Sequence, residues 1–223
     1  MAVFDQAAES YDSWYHTKLG RFVDKVETEL AFGLFEIVPG MKVLDVGCGT
    51  GNFSIKLAQQ GCKVIGIDIS DEMLELARSK AKEAGLDIEF YNMDVYHLQF
   101  EPESLDAAFS MAAFEFIDQP EAALNEMMRV VKAGGQAFIG TISGDSKWGE
   151  LYSSEPLKSN SVFKYACFKT IQDLRQLKPE KLINSGECLF IPPDALEESI
   201  TAEEEKRLSK TEKGGYICAL WKK

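Results

Sequence analysis

Three glycines at alternating positions form a loop that could hold a ligand. Gly47, Gly49 and Gly51 follow a short β-rich run at 42–46 and precede a segment, 52–60, that is typical of a helix. Glycines let the backbone approach a ligand closely, and the first turn of a helix presents amide groups that have no partner within the helix. The pattern therefore predicts a ligand site at the carboxyl end of this strand.

Two carboxylates near this loop indicate which kind of ligand it binds. Asp68 ends the next predicted strand, 21 positions after Gly47, close to the spacing at which an acidic residue accepts the two ribose hydroxyls of a nucleotide. Asp45 lies two residues before the loop, where it would repel a pyrophosphate and attract an ammonium or sulfonium. The G-x-G-x-G spacing also differs from the G-x-G-x-x-G of dinucleotide sites. S-adenosylmethionine carries both positive groups and fits this loop better than a dinucleotide.

The elements that must position these residues alternate between strand and helix. Apolar β-rich runs predict strands at 42–46, 63–68, 87–91, 105–111, 136–142, 182–191 and 216–221. Helical spacing and capping residues predict helices at 19–35, 52–60, 71–84 and 120–130. Residues 143–180 show no clear periodicity, and 194–213 are charged and partly helical. This alternation predicts an α/β fold in which helices cover both faces of a parallel sheet.

Five segments, in this order, resemble the motifs of the class I S-adenosylmethionine-dependent methyltransferases. They are 43–52, 67–70 with Met73, 92–94, 106–120 and 129–135. The run Tyr11-Asp12-x-Trp14 is similar to the N-terminal aromatic segment of the small-molecule branch that includes the ubiquinone/menaquinone (type 11) methyltransferases. The resemblance implies a Rossmann-like sheet of seven strands, mostly parallel, with the strand at 216–221 antiparallel and helices on both faces.

The resemblance also implies the cofactor, S-adenosyl-L-methionine, and its product, S-adenosyl-L-homocysteine. Asp94 and Val95 are expected beside the adenine, and Ser110 and Met111 beside the methionine part. The full set of residues implied for cofactor binding is Tyr11, Asp45, Gly47, Cys48, Gly49, Gly51, Asp68, Ile69, Met73, Asp94, Val95, Ser110 and Met111.

No residue is predicted as an obligatory general base. Many relatives carry a His pair where 113–116 reads Ala-Phe-Glu-Phe, so proton transfer by histidine is not expected there. Tyr11, Glu115 and His97 remain as candidates for a catalytic role, although a structural or surface role is the simpler interpretation of the last two. The predicted function is in-line methyl transfer to a small-molecule acceptor, mainly by proximity and desolvation.

Two alternative functions are left open by the residues alone. A nicotinamide-dependent oxidoreductase could use a related fold, although the glycine spacing and Asp45 disfavour it. A regulatory protein that binds S-adenosylmethionine without catalysis is also compatible, because the acceptor site has no diagnostic residues.

Composition restricts the partners and the location. The net charge is −12 and the pI is about 4.7, so the chain lacks the positive field that nucleic acids and anionic membranes require. Its five cysteines contain no CxxC pair and its two histidines are far apart, so neither a disulfide framework nor a metal site is expected. Without an apolar run of membrane-spanning length or a signal peptide, a cytoplasmic protein without membrane insertion is predicted. Oligomeric state is not indicated.

The length of 223 residues predicts a single domain, which the resemblance implies is a methyltransferase domain. Within it, we expect a helical N-terminal cap at 1–40 and a cofactor-binding core at 41–142. Residues 143–223 are expected to supply a substrate-side insertion and the last two strands.

Overall fold

The computed structural model describes residues 12–155 and 157–223, in which seven strands form one sheet. The strands are β1 Lys42–Val46, β2 Lys63–Asp68, β3 Glu89–Asn92, β4 Leu105–Met111, β5 Val131–Ile142, β6 Leu182–Cys188 and β7 Tyr216–Lys222. Their order is β3-β2-β1-β4-β5-β7-β6. β1 to β5 pair in parallel, whereas β7 runs antiparallel to both β5 and β6. The predicted mixed sheet with one antiparallel strand is confirmed.

Helices pack on both faces of the sheet. They are α1 Lys18–Leu34, α2 Asn52–Gln59, α3 Asp71–Glu83, α4 Pro120–Val130, α5 Lys147–Ser153, α6 Leu157–Asn160, α7 Ile171–Gln176 and α8 Ala202–Leu208. Short 3-10 turns occupy Asp12–His16, Val95–His97, Phe114–Phe116, Val162–Tyr165 and Glu197–Ser199. Alternate residues of β4 enter two different apolar cores, with Phe109 facing α1 and α2 and Ala108 facing α4. This period of two is what a strand buried on both faces requires.

Four strands differ from their predicted bounds, of which β7 is only one residue longer, ending at Lys222. β5 begins at Val131 instead of residue 136, because Val131 already pairs with Leu105 before the register shifts at a bulge. Gly134, with φ of +79°, turns the chain inside this strand. β6 ends at Cys188 rather than at 191, where the next residue, Leu189, has φ of +64°. β3 covers 89–92 rather than 87–91.

Ser70 caps α3 and supplies a prediction for stability. Its hydroxyl accepts a hydrogen bond from the backbone amide of Met73 at 3.2 Å. We expect Ser70→Ala to lower the free energy of unfolding by about 1 kcal/mol, because one buried amide at the start of α3 loses its partner. Thermal denaturation should show this as a fall of about 2–4 °C in Tm. An unchanged Tm would mean that another group caps this amide.

Candidate cofactor-binding site

A cavity of about 230 Å³ opens at the carboxyl ends of β1, β2 and β4. This is the sheet edge where parallel α/β folds bind their ligands. Its walls come from the strand ends, the glycine loop, the start of α2, the segment after β3 and the segment after β4. The lining residues are Tyr15, Asp45, Val46, Gly47, Cys48, Gly49, Thr50, Asn52, Phe53, Ile67, Asp68, Ile69, Met73, Met93, Asp94, Val95, Tyr96, Met111, Ala112, Ala113, Phe116 and Ile117.

The glycine loop owes its shape to backbone conformations that favour glycine. Gly47, Gly49 and Gly51 have φ of +67°, +53° and +81°, values that L side chains seldom adopt. A Cβ atom on Gly47 would lie 2.4 Å from the Cβ of Ala113, so this glycine also allows the segment after β4 to pack against the loop. A Cβ on Gly51 would lie 3.1 Å from the Cβ of Ala77 in α3. The alternating glycines therefore serve both loop shape and close packing.

Asp68 connects the glycine loop to the end of β2. Its Oδ2 accepts a hydrogen bond from the amide of Gly49 at 2.9 Å, and its Oδ1 accepts one from the amide of Ser70 at 2.9 Å. The side chain is half-buried and lines the cavity. One carboxylate thus fixes the loop relative to the second strand and presents negative charge to the ligand space.

Asp45 places a buried carboxyl group at the floor of the cavity. It is 1% exposed, and its Oδ2 accepts a hydrogen bond from the hydroxyl of Ser54 at 2.6 Å. Burial, opposed by the Ser54 hydrogen bond and assisted by the neighbouring Asp68 carboxylate, raises the pKa of Asp45 to about 7. Within 12–155 and 157–223, no lysine, arginine or histidine forms an ion pair with it. A cationic ligand group would satisfy this carboxyl.

The segment after β3 forms a more apolar part of the cavity. Asp94 caps the 3-10 turn that follows, accepting a hydrogen bond from the amide of Tyr96 at 3.0 Å. Val95 is buried, whereas Ile69 beside it on the cavity wall is 55% exposed. An apolar side chain left this open can cover the flat face of a ligand ring.

The structure brings most of the predicted cofactor residues together. Those that line the cavity are Asp45, Gly47, Cys48, Gly49, Asp68, Ile69, Met73, Asp94, Val95 and Met111. Gly51 packs against α3, and Ser110 donates a hydrogen bond to the carbonyl oxygen of Val46 at 2.8 Å, so neither of these two is part of the lining. Tyr11 lies outside the described residues.

The other two catalytic candidates, Glu115 and His97, do not line the cavity. Glu115 is buried and accepts a hydrogen bond from the hydroxyl of Thr141 at 2.8 Å. Burial raises its pKa to about 6. His97 is exposed at the end of the 3-10 turn after β3. The catalytic roles of Glu115 and His97 stay predictions.

Sequence reasoning did not select the other twelve described lining residues for the site: Tyr15, Val46, Thr50, Asn52, Phe53, Ile67, Met93, Tyr96, Ala112, Ala113, Phe116 and Ile117. Most of them lie within the five motif segments, and that resemblance is the signal that could have identified them. Ala112 has φ of +53°, a left-handed conformation that is uncommon for alanine and that its residue type therefore does not predict. It directs the chain after β4 across the glycine loop.

We predict that the ionisation of Asp45 makes ligand affinity depend on pH. Its pKa in the folded protein is raised, so its carboxyl is protonated at low pH and loses its proton as the pH rises through about 7. A ligand ammonium binds only the ionised form well, so affinity should rise between about pH 6 and about pH 8 and then level off. Calorimetry with S-adenosyl-L-homocysteine in buffers of different ionisation enthalpy should also show proton release. Asp45→Asn should remove both effects, and persistence of either in that variant would assign them to another group.

The same buried carboxyl affects stability in the absence of ligand. Because the folded pKa lies above the unfolded value, its stabilising contribution is complete below the unfolded pKa and is lost as the pH rises through about 7. Between the unfolded pKa of an ordinary aspartate and about pH 7, the free energy of unfolding of Asp45→Asn should therefore fall less than that of the unmodified protein. Denaturant unfolding at several pH values measures this difference.

Two further features bear on metal binding and membrane association. Across the described ranges, no three side chains of His, Cys, Asp or Glu come together as a metal site. Nor does any described helix combine the length and apolar character needed to cross a bilayer. All five cysteines are free thiols, of which Cys167 is exposed and the rest are buried.

Comparisons with known proteins agree with the geometry of the cavity. Residues 44–139 match a family model described as a methyltransferase domain. An uncharacterized protein of Methanocaldococcus jannaschii is 30% identical over 193 residues, covering 85% of this chain and 86% of that one. The ubiquinone biosynthesis O-methyltransferase of Klebsiella pneumoniae is 36% identical over 120 residues, 53% of this chain. The chain spans about half the length of that enzyme, 48%.

Solved structures extend the likeness to the whole fold. A structure from Thermotoga maritima, described as a SAM-dependent methyltransferase and possible histamine N-methyltransferase, is similar with a TM-score of 0.74 and 25% identity. The alignment covers 99% of this chain and 98% of that one. The similarity therefore includes the region after β5, which the family model does not reach.

Proposed function

Because the chain belongs to the class I S-adenosylmethionine-dependent methyltransferases, we propose that it transfers a methyl group from S-adenosyl-L-methionine to a small-molecule acceptor. This membership confirms the resemblance seen in its motifs. The observation that carries the proposal is the cavity in which Asp45, Asp68 and Asp94 meet around the glycine loop. Each carboxylate lies at or just after a strand end. A nucleoside with a positively charged tail carries a hydrogen-bonding or charged group that can contact each of them.

The residues present fit this cofactor. Asp45, buried without a basic partner among the described residues, suits the ammonium of the methionine part. Asp68, on the cavity wall, suits the ribose hydroxyls. Asp94 suits the exocyclic amine of adenine, and Ile69 and Val95 suit its ring. Gly47 and Gly49 allow backbone to approach the ligand without a side chain between them.

For methyl transfer, the protein mainly has to align the acceptor with the methyl group of the cofactor. When bound, the cofactor supplies a methyl group that its sulfonium has already made electrophilic. Met111, Ala112 and Phe116 give the cavity an apolar wall after β4 that excludes water. Holding an acceptor in line with the methyl group can contribute about 7–11 kcal/mol of barrier reduction. The chain's main catalytic contribution is therefore orientation and desolvation.

General base catalysis is not part of this proposal. The described lining residues include no histidine and no glutamate. Tyr15 and Tyr96 are the described lining residues with a phenolic hydroxyl. Acceptors that have lost their proton in solution, such as amines and thiols, need no such base. The names of the similar proteins include both an O- and an N-methyltransferase, so phenols and amines are the acceptor classes to compare.

Calorimetry tests the cofactor, and radiolabel transfer tests the reaction. The protein should bind S-adenosyl-L-methionine and S-adenosyl-L-homocysteine but not NAD. Binding of NAD without binding of either sulfur nucleoside would reject the proposal in favour of an oxidoreductase. Transfer of labelled methyl to any member of a panel of small phenols, amines and thiols would support catalysis. Binding without transfer to any of them would favour a non-catalytic binding protein.

A further inference from the structure

Lys169 is a buried lysine in the region between β5 and β6, and its contacts point to the cofactor cavity. It is 6% exposed. Its Nζ donates hydrogen bonds to the carbonyl oxygens of Phe114 at 2.9 Å, Ile117 at 2.8 Å and Cys167 at 2.5 Å. The three donors of an ammonium are thus matched by three carbonyls. Two of these carbonyls belong to the segment that follows β4.

The wall segment, residues 112–117, forms one side of the cavity. Ala112, Ala113, Phe116 and Ile117 all line it. The segment begins in a left-handed conformation at Ala112, with φ of +53°, and contains a single 3-10 turn, Phe114–Phe116. Few backbone hydrogen bonds form within the segment. Its position therefore depends on contacts with residues outside it.

The chain around Lys169 is attached to the wall segment and to β5 as well. The amide of Cys167 donates to the carbonyl oxygen of Glu115 at 2.7 Å, and the amide of Gly144 donates to the carbonyl oxygen of Lys169 at 2.8 Å. Ser143 and Lys169 form an isolated parallel bridge. Lys169 is therefore held at its own backbone, next to the end of β5, while its side chain reaches across to the wall.

Aromatic stacking continues from the wall into the same region. Phe116 stacks on Phe163 at 6.0 Å between ring centroids, and Phe163 contacts Tyr152 at 4.1 Å. Phe163 and Tyr152 belong to residues 143–180, where the sequence shows no clear periodicity. The cavity wall and the insertion after β5 thus form one packed unit, and Lys169 provides the charged contact between them.

We propose that Lys169 is a positioning residue for methyl transfer: its ammonium fixes the wall segment against the glycine loop and thereby sets the shape of the cofactor cavity. This inference rests on the proposed function. The burial of an amine is offset here by three charge-assisted hydrogen bonds, which are stronger than those between neutral groups. Without them, the carbonyls of Phe114 and Ile117 lose their shared donor and the wall can move.

The test uses Lys169→Met, which keeps a long unbranched side chain and removes the ammonium. Hydrogen exchange of the ligand-free protein should be faster in peptides that cover 112–117. Calorimetry with S-adenosyl-L-homocysteine should show affinity that is lower by about tenfold. Lys169→Gln retains an amide donor and should show smaller changes of both kinds, which gives a second variant if the first folds poorly.

Two control variants separate positioning from charge and from stability. Lys164→Met removes an exposed lysine of the same region, which lies over the ring of Tyr165, and should change neither exchange nor affinity. Leu220→Ala removes buried volume near the opposite edge of the sheet, so it should lower Tm without changing exchange at 112–117 or affinity.

Three results would overturn the inference: unchanged exchange at 112–117 in Lys169→Met, faster exchange there with unchanged affinity, or an equal loss of affinity in Leu220→Ala. Failure of the unmodified protein to bind S-adenosyl-L-homocysteine would refute the proposed function instead. In that case the exchange experiment would still report whether Lys169 holds the wall.

Discussion

Asp68→Ala is expected to weaken the binding of S-adenosyl-L-homocysteine by about 100-fold or more. Two losses combine in this variant. The ribose hydroxyls lose a charged acceptor, which is worth about 1.5–3 kcal/mol for each hydrogen bond. The amides of Gly49 and Ser70 also lose their partner, because the carboxylate accepts a hydrogen bond from each at 2.9 Å. The glycine loop then loses its attachment to β2.

Calorimetry on a folded variant checks this result. Asp87→Ala is the matched control, since Asp87 is an exposed aspartate just before β3 and away from the cavity lining; its affinity should be unchanged. Asp68→Asn keeps the side-chain volume but replaces one acceptor oxygen by a donor. Its ligand affinity should therefore lie between those of Asp68→Ala and Asp87→Ala. Wild-type affinity in Asp68→Ala would show that the ribose is held by other groups.

Gly47→Ala should be the most damaging single change in the glycine loop. The new Cβ would lie 2.4 Å from the Cβ of Ala113, so the loop or the wall segment must move. Left-handed backbone adds about 1–2 kcal/mol for a residue with a Cβ, since Gly47 has φ of +67°. A displacement of about 1 Å in an active site can lower the reaction rate about 100-fold. We expect methyl transfer to slow by about that factor, with weaker binding of S-adenosyl-L-homocysteine and a lower Tm.

Gly85→Ala separates the clash from the backbone strain. Gly85 has nearly the same φ, +68°, but a Cβ there would meet no atom within 4 Å. This variant should lose only the stability that the strained backbone costs and should bind the ligand normally. Equal affinities for the two alanine variants would show that contact between the loop and the wall segment does not shape the site.

Local patterns were sufficient for the cofactor half of the fold. β1, β2, β4 and α4 have the predicted bounds. β1 ends at the glycine loop, β2 ends just before the cap Ser70, and α4 begins at Pro120, so local signals limit these three elements. Ser70, whose side chain accepts a hydrogen bond from the amide of Met73, caps α3. The carboxylates at consecutive strand ends meet at one cavity because parallel strands direct their carboxyl ends to the same edge. The placement of Asp45 and Asp68 follows from topology alone.

The region after β5 could not be derived in the same way. α5 to α7 have only four to seven residues each, too few for a helical period to be recognised. The position of this region depends on long-range contacts that no short window of sequence contains, such as the hydrogen bonds from Lys169 to the carbonyl oxygens of Phe114 and Ile117. For the same reason Ser110, which binds the carbonyl oxygen of Val46 instead of lining the cavity, could not be distinguished from its neighbour Met111.

Because one cysteine is exposed and the other four are buried, the protein has a single site suited to labelling by thiol reagents. Burial raises the pKa of the thiols of Cys48, Cys188 and Cys218 well above the usual value, and that of Cys62 to a smaller extent, so their reactive thiolates are scarce and shielded. Cys167 is exposed, and a maleimide dye should attach there selectively without any engineered cysteine. Such a dye would stand two residues from Lys169, where its emission could follow the chain between β5 and β6 as ligands are added.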